Sequence, residues 1–91
     1  MKKIISVVIP AYNEAQNIEP VIEAITNTFA TLTTYEYEIV FVDDGSTDRT
    51  VQVAHDCGVH HVVGFPQNRG LARAFMLGIQ ASLAAGADII V

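Results

Sequence analysis

Four short apolar runs rich in β-branched residues recur along the chain: IISVVI at 4–9, YEIVFV at 37–42, VHHVV at 59–63 and DIIV at 88–91. Runs this continuously apolar suit strands buried on both faces, as in a parallel sheet covered by helices. The gaps between them carry a different period. After the first run, which ends at Pro10, the residues Ile18, Val21, Ile22, Ile25, Phe29 and Leu32 recur at steps of three and four and form one apolar stripe. Asn17 is placed to cap that helix, Glu19 suits the positive end of its dipole, and Pro20 falls in the first turn, where a missing N–H costs little.

The second gap opens at Gly45, where the chain can turn sharply, offers Ser46, Thr47 or Asp48 as caps, and runs helically through Val51 and Ala54 to Gly58. In the third, from Gly70 to Ala85, the residues Leu71, Ala74, Phe75, Gly78, Ala81, Ser82 and Ala85 share a mostly small face, which lets a helix lie close against a sheet. Gly86 ends it. The order is βαβαβαβ, and right-handed crossovers turn it into an α/β, Rossmann-like parallel sheet of four strands with helices on both faces.

Composition narrows the partners. A length of 91 residues allows one domain, smaller than most α/β enzymes, which leaves room for a second half outside it. Apolar residues at 51% against 16% charged exclude a disordered tail. The net charge is −5, and the five basic residues, Lys2, Lys3, Arg49, Arg69 and Arg73, form no stripe, which argues against nucleic acid. An anionic ligand would need a divalent cation or backbone amides to meet its charge. Cys57 is alone, which rules out an internal disulfide, fits a reducing, cytoplasmic setting, and reads as a small buried hydrophobe. The first apolar run, of about six residues, is too short for a signal segment, and no stretch of about 18 apolar residues exists to span a membrane.

In such a sheet, ligands bind beyond the carboxyl ends of the strands, where the strand order reverses. Two polar loops belong there: PAYNE at 10–14 and DDGSTD at 43–48, expected to be neighbours in space. No GxGxxG follows the first strand and no GxxxxGK[ST] occurs, so the usual dinucleotide and P-loop cradles are missing. Asp44 can accept a hydrogen bond from a base N–H or a ribose hydroxyl, and Tyr12 offers a ring face for a base to stack on. Asn13 and Glu14 can equally serve as turn and first-turn residues. Asn68 and Gly70 shape the turn into the third helix, while Arg69 and Arg73 are either solvated or reach toward a phosphate. His60 and His61, adjacent on a strand, point to opposite faces and make a poor chelating pair.

These residues resemble a known family. VVIPAYNE, FVDDGSTD, the NRG at 68–70 and the ending GADIIV look like the N-terminal half of family 2 glycosyltransferases with the GT-A fold, nearest to the polyprenyl-phosphate branch of the dolichyl-phosphate mannose synthase type. The resemblance covers essentially the whole chain. It implies that residues 1–91 are the nucleotide-sugar-binding half of a catalytic domain, with Pro10, Ala11, Tyr12, Glu14, Val42 and above all Asp44 holding the nucleoside of a UDP- or GDP-type sugar. Asp43 would fix loop geometry or add a contact, and Arg73 is a further candidate.

The resemblance further implies a DxD-type motif after the fourth strand that binds Mg²⁺ or Mn²⁺, and a general base beyond it; both would lie past Val91, leaving no metal ligand or catalytic residue in this segment. The activity so implied is inverting transfer of a sugar to an acceptor such as a polyprenyl phosphate, at the cytoplasmic face of a membrane. Two alternatives stand beside it. One is a non-catalytic nucleotide-binding or structural α/β module; on either reading the incomplete sheet edge is open to pairing between two copies as a homodimer. The other is a receiver-like phosphoacceptor domain, disfavoured because the acidic pair follows the second strand and no lysine occurs beyond Lys3.

Overall fold

The computed structural model describes residues 2–91. The elements follow the expected alternation: β1 (Lys3–Ala11), α1 (Ile18–Ala30), β2 (Tyr35–Asp44), α2 (Thr50–Asp56), β3 (His61–Phe65), α3 (Leu71–Ala84) and β4 (Ile89–Ile90). All strand pairs are parallel, in the order β3-β2-β1-β4. The chain thus builds outward from β1 on one side and then returns to its other side with β4, so the order reverses at β1.

Side chains alternate across the strands and sort the core into two layers. Ile9, Ala11, Ile39 and Phe41 face α1 and α2, meeting Ile18, Ile22 and Ala54. Val8, Val40 and Val42 face α3 and meet Ala74. The small-faced third helix makes this second layer thin. A Cβ on Gly78 would overlap Val8 Cγ1 and come within 3.0 Å of Val42 Cγ2.

Several boundaries differ from the sequence expectation, each for a local reason. β1 runs through Pro10 rather than stopping before it. Even-numbered residues of β1 aim their backbone groups at β4: Ser6 O accepts the Val91 amide and Val8 N donates to Val91 O, each at 2.9 Å. Pro10 belongs to that set but lies past the pairing of Ile5 and Ser6 with Ile89 and Ile90, so its missing N–H breaks no ladder bond. β3 is displaced two residues, to His61–Phe65. His60 is held outside it, its Nδ1 accepting the Ile39 amide at 2.9 Å.

On α1, Ile18 and Ile22 are buried but Val21 is exposed, and Leu32 lies past the helix end. On α3, Ala74, Gly78 and Ser82 form the buried stripe, whereas Leu71 and Phe75 turn outward. No helix among the described residues is long and apolar enough to cross a membrane.

Candidate nucleotide-binding site

The two polar loops meet at the carboxyl ends of β1 and β2 and are bonded to each other. The Asn13 amide donates to Ser46 Oγ at 2.9 Å, and Asn13 Oδ1 accepts the Thr47 amide at 2.8 Å and the Asp48 amide at 3.3 Å. The Glu14 amide donates to Thr50 Oγ1 at 2.9 Å, while the Thr50 hydroxyl donates to Asp48 Oδ1. Asp48 also accepts the Thr50 amide at 2.9 Å and the Ala15 amide at 3.3 Å. The N-cap position of α2 falls on Arg49, which makes no side-chain cap; Asp48, one residue earlier, accepts the first amide of the helix, and Thr50 ties that acceptor to the first loop. The hydrogen bond from the Thr50 side chain, aided by the backbone amides of Thr50 and Ala15 and opposed by burial, holds the Asp48 carboxyl below its ordinary 3.8.

Asn17 occupies the N-cap position of α1 but makes no side-chain cap; its side-chain Nδ2 instead donates to Glu14 Oε2 at 3.2 Å. The residue expected as a cap thereby orients a candidate ligand-binding carboxylate.

Against this double loop the structure forms a hollow of about 470 Å³. Five residues named from the sequence line it: Pro10, Ala11, Tyr12, Glu14 and Asp44. The other wall is the start of α3, supplying Asn68, Gly70, Leu71 and Ala74. Tyr12 is 46% exposed, leaving its ring available at the mouth.

Asp44 is only 4% exposed. Two adjacent carboxylates at the end of an apolar strand are expected from the sequence to stand clear of the core and point into the crevice, and here the structure differs. Asp44 lies on the α3 side of the sheet, where Oδ1 accepts the Arg69 amide at 2.7 Å and Oδ2 the Gly70 amide at 3.0 Å. Gly70 has φ +97, a conformation side chains resist, and the turn presents both amides to the carboxylate. A carboxylate at the positive end of α3 is electrostatically favoured. Each oxygen keeps a second lone pair for a ligand. Asp43, on the opposite face, accepts the Ser46 amide at 3.2 Å and fixes the loop.

Two further candidates stand apart from the hollow. The Val42 side chain is fully buried beneath α3, so only its backbone is available to a ligand. Arg73 lines a separate shallow depression of about 250 Å³ with Phe65, Arg69 and Met76, and Arg69 lies over the Phe65 ring, 5.3 Å from its centroid.

Leu71 and Ala74 were missed as site residues because they read as helix filling; the signal for them is that β3 lies beside β2, so the helix after β3 must begin at the Asp44 end of the sheet. A groove between α1 and α2, lined by Glu19, Glu23, Asp56 and Cys57 among others, receives neither polar loop. Burial, with the charges of Glu19, Asp56 and Glu23, pushes the Cys57 thiol up. His61 Nε2 lies 3.0 Å from Glu38 Oε2, and Glu38 accepts the Ser6 hydroxyl, a polar ladder across three strands. Among the described residues no three His, Cys, Asp or Glu side chains converge to hold a metal ion. The residues present do not make the metal site the resemblance implies.

The strand-end hollow and its two loops can be set beside known proteins. Residues 6–91 match the profile of glycosyl transferase family 2. The chain belongs to that family. A dolichol-phosphate mannosyltransferase of Pyrococcus furiosus is 37% identical over 79 residues, which is 84% of this chain and 22% of that enzyme. An undecaprenyl-phosphate 4-deoxy-4-formamido-L-arabinose transferase of Pseudomonas fluorescens is 37% identical over 81 residues, 84% of this chain and 24% of that one. The glucosyl-3-phosphoglycerate synthase of Mycobacterium tuberculosis, solved with Mn²⁺, UDP-glucose and phosphoglyceric acid, superposes with a TM-score of 0.72 at 32% identity, over 97% of this chain and 31% of that chain. The family 2 chain therefore carries the parallel α/β sheet of a GT-A glycosyltransferase, and it spans about a quarter of the length of these curated relatives.

Proposed function

We propose that this chain is the nucleotide-sugar-binding part of a glycosyltransferase that moves a sugar from a nucleoside diphosphate to an acceptor, with inversion at the anomeric carbon. The observation that carries the reading is the hollow itself: an exposed aromatic ring, two carboxylates and a helix N-terminus converge at the point where the strand order reverses. The base stacks on the Tyr12 ring with Leu71 and Ala74 opposite. Asp44 accepts from the base or the ribose through the lone pairs its backbone amides leave free, and Glu14, steadied by Asn17, accepts from the ribose hydroxyls.

The relatives that act on dolichol and undecaprenyl phosphates favour a polyprenyl phosphate as acceptor, which would place transfer at a membrane surface. The Mn²⁺ bound with UDP-glucose in the mycobacterial synthase favours a divalent ion at the diphosphate; when bound, it would act as a Lewis acid on the leaving group. What this chain's own residues do is bind and orient the nucleoside.

Titration of UDP and GDP, each with Mn²⁺, into the chain and into Tyr12→Ala tests the reading. Loss of base stacking, about 1–3 kcal/mol, should weaken binding by about five- to 150-fold. Equal affinity in both proteins, or none in either, contradicts it.

A further inference from the structure

We propose that Asn13, which does not itself line the hollow, is the positioning residue that holds Tyr12 and Glu14 in their binding geometry; the proposal rests on the nucleotide reading above. Asn13 sits between these two lining residues with φ +52, the one non-glycine residue of positive φ among those described. Left-handed backbone disfavours most side chains, and asparagine is among the few that tolerate it.

The bend sends the Asn13 side chain away from the hollow and into the second loop. There one oxygen accepts the Thr47 and Asp48 amides at 2.8 and 3.3 Å, with the Thr47 hydroxyl at 3.4 Å. The Asn13 amide closes the ring on Ser46 Oγ at 2.9 Å. Asn13 is thus bonded on both its backbone and its side chain to the turn after β2, the strand that ends in Asp44. The halves of the hollow contributed by β1 and β2 are therefore held in one arrangement before a ligand arrives. Without that clasp, ordering the Tyr12 loop becomes a cost of binding.

Three variants of the chain separate the acceptor from the backbone bend. Asn13→Gly keeps the bend and removes the acceptor. Asn13→Asp keeps both, and Asn13→Ala removes both. Each is titrated with UDP and with GDP in the presence of Mn²⁺, alongside amide hydrogen exchange at Thr47 and Asp48 and a thermal melt. For Asn13→Gly the expected result is faster exchange at both amides and affinity lower by roughly tenfold, with a near-native melt. Asn13→Asp should return affinity to within about threefold of the native chain, and Asn13→Ala should be at least as weak as Asn13→Gly. Native affinity in Asn13→Gly, with the native chain binding nucleotide, overturns this proposal alone. A native chain that binds neither nucleotide overturns the nucleotide reading and this proposal with it.

Discussion

The Asp44 carboxylate accepts the Gly70 amide at 3.0 Å across 26 residues of sequence, and in doing so joins the end of β2 to the start of α3. The same carboxylate accepts the Arg69 amide at 2.7 Å, and the Asn68 side chain donates back to Asp44 O at 3.3 Å. Asp44 is therefore both a wall of the hollow and the group that sets its opposite wall.

Asp44→Asn should reveal the structural half of that role. A carboxamide offers one oxygen where two amides need acceptors, so one partly buried N–H would face an NH₂. Losing a charge-assisted bond should cost about 1.5–3 kcal/mol, read as a lower denaturant midpoint with faster exchange at Arg69 and Gly70. Unchanged stability would show that these two bonds contribute little.

Gly78→Ala sets helix propensity against packing. Propensity alone predicts a gain of about 1 kcal/mol on replacing a mid-helix glycine. The added methyl would overlap Val8 and crowd Val42, and overpacking of this kind costs typically about 1–3 kcal/mol. Chemical denaturation should show net destabilisation. A stabilised variant would mean α3 can move away from the sheet freely.

Asp48 makes stability depend on pH at the acid end. Its carboxyl is held below 3.8, chiefly by the Thr50 hydroxyl. The unfolded chain therefore takes up this proton first as pH falls, so the contribution is present above 3.8 and lost as pH drops through the lower folded value. Denaturant midpoints of the native chain and Asp48→Asn, compared between about pH 5 and about pH 2, should converge on acidification. A constant difference across that range would rule out this carboxylate as the source.

The strand–helix alternation was legible because burial on both faces leaves an apolar run that few other structures explain, and the loops PAYNE and DDGSTD declared themselves as the polar ends of such runs. What the sequence concealed depends on partners far away in the chain. Pro10 looked like a strand stop because its tolerance rests on where β4 pairs. Asn17 looked like a cap because its preference for Glu14 is visible only once the loop is folded. The burial of Asp44 follows from the Gly70 turn approaching it, a contact between residues no local pattern connects. Leu71 and Phe75 fell in with the small residues of α3 on spacing, yet the sheet admits only the narrow stripe of Ala74, Gly78 and Ser82.

The most direct test of the central claim is to map, by amide chemical-shift perturbation, where UDP and GDP with diamagnetic Mg²⁺ touch the chain. Binding at the strand-end hollow predicts shifts concentrated at Tyr12, Glu14, Gly70, Leu71 and Ala74, with the α1–α2 groove around Glu23 and Asp56 unaffected. Shifts centred on that groove, or none at the hollow under saturating nucleotide, would contradict it.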